Sequence, residues 1–211
     1  MPSIDAPSIL NIPPKLLPLI ADINKFRYFL LEGGRASGKS QSIARFILWL
    51  CERGLIRVCC GRETQNSIEE SVYTIFADLI RANDLNEFNV SATKIDHKRT
   101  GSSIRFRGFR EQGATNIKGL EGISILWVDE SQAISKATLD VILPTIRKEN
   151  AKIIWSMNRN IEHDPVFVAM AGRTDCLHIH CDYVDNPHCP EAMKIEADNC
   201  KAISEDDYRH I

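Results

Sequence analysis

No apolar run in these 211 residues approaches the roughly 20 residues that a helix needs to cross a bilayer. Nor does the N-terminus show the charged, apolar and small-residue succession of a secretory signal. The expectation is a soluble protein with no evident address label and no membrane partner. Charge of one sign is missing as well: 26 Lys and Arg stand against 28 Asp and Glu, a formal net charge of −2. Without a global basic field, any nucleic-acid contact must come from local patches such as His97-Lys98-Arg99 or the Arg105, Arg107, Arg110 series. The cysteines, at 51, 59, 60, 176, 181, 189 and 200, are odd in number and form no C-x-x-C pair, so they read as reduced cytosolic thiols. Internal repeats and low-complexity tracts are absent. What remains, 44% hydrophobic and 26% charged residues, is the composition of a chain that buries a sizeable core.

Alternating apolar segments organise that core. The first 18 residues hold five of the nine prolines and little periodicity, so residues 1–24 read as an arm packed on the domain that follows. A strand is expected at about Phe26 to Glu32 and a helix at 39–53, where Ile43, Phe46, Ile47 and Leu50 recur at helical spacing. Leu55 to Gly61 suits a buried strand, and Ile68, Val72, Ile75, Phe76 and Leu79 form the next helical stripe. Residues 88–108, with turn signals at Thr100-Gly101-Ser102, predict an inserted antiparallel pair at one sheet edge. Further strands are expected at Ile123 to Asp129, Lys152 to Ser156 and Leu177 to Tyr183, with a helix at 134–147 and an acidic helical tail from Pro190. This order argues an α/β fold, a mostly parallel sheet covered by helices on both faces.

Gly33-Gly34-Arg35-Ala36-Ser37-Gly38-Lys39-Ser40 is a complete G-x-x-x-x-G-K-[ST] loop between the first strand and the first helix. Such a loop turns its N–H groups toward phosphate oxygens, Lys39 reaches the β- and γ-phosphates, and the Ser40 hydroxyl ligates Mg²⁺. Trp127-Val128-Asp129-Glu130 places a carboxylate pair at the C-terminal end of a buried strand, the edge of a parallel sheet where ligands sit. Asp129 there suits the Mg²⁺ shell and Glu130 the attacking water, although a strand meeting its helix cap would read the same locally. No N-K-x-D sequence follows, so ATP is favoured over GTP. Ser156, Met157 and Asn158 end another buried strand and suit either a γ-phosphate sensor or an Asx-type turn. Arg35 is the first candidate for a cation acting on the transferring phosphate, with Arg62 and Arg159 as weaker ones. His178, His180, Cys181, His188 and Cys189 include metal-ligand types, but alternation puts His178 and His180 on one face and Cys181 on the other. Arg105, Arg107 and Arg110 suit either DNA phosphates or the polar face of an edge strand.

Together with Arg62-Glu63-Thr64-Gln65-Asn66-Ser67 and Tyr183-Val184-Asp185-Asn186-Pro187, these motifs in this order resemble the N-terminal ATPase half of the large terminase subunit of tailed bacteriophages. The likeness runs from about residue 25 to 190 and is nearest to short-tailed headful-packaging phages. It implies a RecA-like P-loop NTPase fold of the additional-strand catalytic-glutamate type, hydrolysing ATP with Mg²⁺ to drive double-stranded DNA into a procapsid. Lys39, Ser40, Asp129, Glu130 and Arg35 then take the phosphate, Mg²⁺, Walker B, catalytic-base and loop-arginine roles, and Ser156 to Asn158 the coupling motif. Implied partners are a portal protein, a small terminase subunit and further copies in a ring, in the cytoplasm of an infected bacterial host; the chain alone is expected as a monomer. By the same likeness, 25–190 is the P-loop ATPase domain and 191–211 a helical tail or the start of a linker. The family's C-terminal nuclease would lie beyond residue 211, so no nuclease residue is assigned. A helicase-like DNA-dependent ATPase and a non-hydrolytic, nucleotide-gated assembly module are the rival readings.

Overall fold

The computed structural model describes residues 8–64, 69–109, 120–158 and 163–203. β1 (Tyr28–Glu32) and β6 (Ile125–Val128) are buried at every position. Strands that shed water from both faces belong inside a sheet with cover on each side. β1 accordingly runs parallel to β7 (Lys152–Met157) on one flank and to β8 (Cys176–His180) on the other. β6 lies parallel to β7 and to β2 (Arg57–Arg62), which in turn pairs in parallel with β5 (Ser103–Gly108). With β3 (Phe88–Ser91) and β4 (Lys94–His97), the eight strands follow the order β3-β4-β5-β2-β6-β7-β1-β8, so β7 separates the loop strand β1 from the acid strand β6.

Alternation along each strand sorts the side chains into two layers. Phe29, Leu31, Val58, Cys60, Trp127 and Ile154 share one core cluster with Ile43, Phe46 and Ile47 of α2 (Lys39–Arg53) and with Phe76, Leu79 and Ile80 of α3 (Thr74–Ala82). Tyr28, Leu30, Cys59, Leu126, Val128 and Trp155 join Leu139 and Ile142 of α4 (Lys136–Thr145) and Val166 and Met170 of α5 (Pro165–Met170) on the other face. The first layer is sealed by the segment that leads into α1 (Pro18–Ala21): Ile9, Leu16 and Leu19 belong to the α2 cluster. Fully buried, Leu16 and Leu19 each contribute about 1.5–3 kcal/mol of transfer free energy. α6 (Glu191–Ile203) forms the tail helix.

Two expectations need correction. The pair expected at 88–108 is three strands: β3 (Phe88–Ser91) and β4 (Lys94–His97) form a hairpin, and β5 is antiparallel to β4 yet parallel to β2. β5 is therefore interior, and Arg105 and Arg107 do not lie on an edge strand. Its buried residues Ile104 and Phe106 belong to the α3 layer, a core contact that an edge hairpin would not need. No element is expected between the strands at Lys152 to Ser156 and Leu177 to Tyr183, yet α5 starts there with Asp164 at its N-cap and Pro165 at its first position. Six residues are too few for helical periodicity to stand out, but the Asp-Pro start signal was present.

All seven cysteines are free thiols. Burial pushes Cys51 and Cys59 up to about 12 and raises Cys60 well above the ordinary thiol range. Because the thiolate is the reactive species, an aromatic disulfide reagent at pH 8 is expected to modify the half-exposed Cys200 in native protein. Cys51, Cys59 and Cys60 are expected to react only after guanidinium is added, as a stopped-flow thiol titration with and without denaturant will show.

Candidate functional site

Parallel strands bring their C-terminal ends to one edge, and here the ends of β1, β2, β6 and β7 surround a cavity of about 830 Å³. Its floor is the loop 33–40. Gly33 sits at φ +147°, and a Cβ there would stand 1.9 Å from the Cys181 carbonyl oxygen, so only glycine lets the loop leave β1 against the end of β8. α2 begins directly after Gly38, and the N–H groups of its first turn have no intrahelical acceptors. Lys39 is 9% exposed and donates to the Gly33 and Gly34 carbonyls at 2.7 and 2.8 Å and to Ser37 Oγ at 2.7 Å. Burial lowers its ammonium to about 8, opposed by the nearby Asp129, Asp182 and Glu32 charges.

Asp129 is the centre of the opposite wall. Its Oδ1 accepts the Ser40 hydroxyl at 3.0 Å and the Ser156 hydroxyl at 2.7 Å, while Ser156 Oγ accepts the Trp127 indole N–H at 2.8 Å. Its Oδ2 accepts two bonds from Arg62, from Nη2 at 2.5 Å and from Nε at 3.2 Å. The third guanidinium nitrogen lies 3.2 Å from Glu130 Oε2, so one arginine pairs with both acids. Asp129 is buried and Glu130 exposed, the latter in the left-handed region at φ 50°, ψ 44°. Together Ser40 Oγ and Asp129 offer the hard oxygen donors that Mg²⁺ selects, a small set that leaves the remaining positions to phosphate and water.

The third segment is wired to both others. Ser156 bonds Asp129, the Met157 carbonyl accepts the Gly33 N–H at 3.2 Å, and the Asn158 N–H donates to Gln132 Oε1 at 3.3 Å. Arg35 lines the cavity from an exposed position and makes no ion pair among the described residues. Arg159, Arg110 and Gln65 to Ser67 lie outside the described residues. His178 bonds Glu32 at 2.8 Å and His180 bonds Asp182 at 2.9 Å, and among the described residues no group of three or more His, Cys, Asp or Glu could hold a metal ion.

An arginine near a strand end reads locally as a solvated surface group, which makes Arg62 a weaker candidate than Arg35 by sequence; in the structure it is the last residue of β2 and its side chain is largely buried. The signal that would have raised it is its place at the C-terminal end of a parallel strand, the same rule that singled out Asp129. Asp182 carries no such signal, and Asn186 only its place in the Tyr183-Val184-Asp185-Asn186-Pro187 motif. They reach the loop, through bonds to Gly34 and Ala36, from beyond the end of β8.

The family model described as Phage terminase large subunit matches residues 25–211. The large terminase subunit of Bacillus phage SPP1 is 26% identical over 202 residues, which cover 86% of this chain and 47% of that protein; the chain spans about half the length of this curated relative. Among solved structures, a large terminase from a thermophilic bacteriophage in complex with ADP superimposes with a TM-score of 0.73 at 15% identity, covering 95% of this chain and 52% of that one. The large terminase ATPase domain of Thermus phage P74-26 gives 0.64 at 16% identity, with 96% and 93% covered. At these identities the solved structures establish likeness of fold.

Removing Arg62 would strand a buried carboxylate that retains only hydroxyl donors. Arg62→Ala is expected to lower the stability of the nucleotide-free protein by about 3 kcal/mol. In a double-mutant cycle with Asp129→Asn, urea denaturation should report a coupling of about 2 kcal/mol; additive losses would mean that the ion pair contributes nothing.

Proposed function

This chain belongs to the phage terminase large-subunit family, and from that membership we propose that it is an ATPase whose hydrolysis of Mg-ATP drives double-stranded viral DNA into a procapsid. The observation that carries the reading is the 3.0 Å bond between Ser40 of the glycine loop and Asp129 at the end of β6, which joins phosphate-loop and metal-binding acid across one cavity. A related large terminase solved in complex with ADP supports the choice of nucleotide. Residues 25–190 form the ATPase domain, residues 1–24 the arm on it, and 191–211 a tail or linker. A portal protein, a small terminase subunit and further copies of the chain in a ring complete the packaging machine in the cytoplasm of an infected bacterium.

Each side chain has a task in that reaction. Lys39 transfers its three donors from the loop's own acceptors to β- and γ-phosphate oxygens, as a point charge that a phosphate restores to full protonation. Ser40 and Asp129 are the residues that would hold Mg²⁺, which when bound would neutralise phosphate charge as a Lewis acid. Glu130, the catalytic glutamate of the additional-strand class, orients the attacking water and takes its proton. Arg62 balances both acids until nucleotide arrives. Arg62, already at the acid pair, and Arg35, which lines the same cavity, are the cations placed to meet charge developing on the transferring phosphate. Ser156, Met157 and Asn158 register the change, because Ser156 shares Asp129 with Ser40.

Glu130→Gln is expected to cut ATP turnover by roughly 10²–10⁴-fold while leaving nucleotide affinity nearly unchanged, measured by phosphate release and by titration calorimetry. Turnover that persists in this variant would remove Glu130 from the mechanism. Wild-type protein that binds ATP without turnover, even with DNA and portal present, would favour a nucleotide-gated assembly role. Lys39→Ala is expected to abolish binding in the same calorimetric titration, and retained ATPase activity would sink the assignment of the loop.

A further inference from the structure

The segment Tyr183-Val184-Asp185-Asn186-Pro187 has no part in the chemistry above, yet the chain around it lies against the glycine loop at three points. Asn186 Nδ2 donates to the Ala36 carbonyl at 2.7 Å, Asp182 Oδ1 accepts the Gly34 N–H at 3.3 Å, and Cys181 Sγ donates to the Ser37 carbonyl at 3.4 Å. The segment is itself held firmly. Asp185 Oδ2 accepts the Asp182 N–H and pairs with Lys15 of the N-terminal arm, both at 2.9 Å. Asn186 Oδ1 accepts the His188 N–H at 3.0 Å, and the residue is 9% exposed.

What Asn186 grips is the part of the loop that most needs holding. Ala36 has φ +56°, a left-handed conformation that its Cβ disfavours. The following peptide is planar and trans, so its C=O and its N–H point in opposite directions. A carbonyl fixed on Asn186 therefore fixes the Ser37 N–H away from Asn186. A flipped peptide would exchange the two ends of its dipole, and the wrong one would face an anion. The fit is close: a Cβ on Gly38 would meet Asn186 Nδ2 at 3.2 Å and Pro13 Cγ at 3.1 Å. A side chain at position 38 would have to displace the amide.

We propose that Asn186 is a positioning residue for the nucleotide loop: its amide locks the Ala36–Ser37 peptide in the orientation a phosphate requires, before nucleotide arrives. The inference rests on the reading of residues 33–40 as a nucleotide site. Asn186 also lines the cavity, but both hydrogen bonds of its amide stay within the protein, to Ala36 and His188, and the proposed effect passes through Ala36.

The test uses the 211-residue chain with Asn186→Asp and Asn186→Ala. The Asp variant keeps the volume and the acceptor for His188 but puts an oxygen against the Ala36 carbonyl. Expected in both are a rise of about three- to tenfold in Kd and KM for Mg-ATP, kcat within about twofold of wild type, and an unchanged thermal midpoint. The Asp variant should show an additional, salt-dependent loss. Amide exchange at residues 34–38 of the nucleotide-free protein should quicken while α4 stays protected. Unchanged Kd and KM, or a lowered thermal midpoint with normal KM, would overturn the proposal, as would failure of both variants to fold. If wild type itself fails to bind Mg-ATP, the nucleotide-site reading falls, and the exchange data alone then decide whether Asn186 orders the loop.

Discussion

Asp129 is a charge withdrawn from water at the end of β6, and much of the site follows from the need to keep it paired. A buried carboxylate without partners is expensive, and its donors must be placed with good geometry. The sheet order supplies them. Because β6 lies between β2 and β7, its last position has neighbours on both flanks: Arg62 from the end of β2 and Ser156 from the end of β7. Ser40 closes the third side from the start of α2. One carboxylate thus fastens two strand ends and a helix N-terminus into a single constellation.

That arrangement also explains how a change at the loop can be felt elsewhere. Ser40 and Ser156 share the same oxygen of Asp129, so the loop and the end of β7 are joined through one atom. Ser156 is in turn bonded to the Trp127 indole, and Trp127 meets Phe76 of α3 edge-on at 6.0 Å. A polar shift at the cavity therefore has a packed route into the first helical layer.

Much of this was legible in the order of residues. The glycine loop, the apolar strands and the helix at 39–53 announce themselves through glycine chemistry and periodicity, and the C-terminal-edge rule carries Asp129 and Glu130 to the site. The less legible parts depend on contacts between distant segments. The end of β2 brings Arg62 to the right edge of the sheet, but its pairing with the buried Asp129 exists only once β2 and β6 are adjacent. β5 looked like part of a hairpin because antiparallel pairing to β4 is local, whereas its parallel partner β2 is read only from the assembled sheet. The grip of Asn186 on Ala36 is harder still to anticipate, since it joins a loop near the start of the domain to one near its end.

The sheet order has a kinetic meaning as well. β1 is made early, but its neighbours are β7 and β8: Tyr28 is in register with Ile153 on one side and Cys176 on the other. During synthesis the loop strand therefore waits, both of its hydrogen-bonding edges unpaired, until most of the domain has been translated. Pairings between such distant segments are slow to close and open to aggregation in the interval. The element that carries the first chemical signature in the sequence is among the last to find its place, so the loop cannot take its final shape on a ribosome-bound chain that has not yet reached β8.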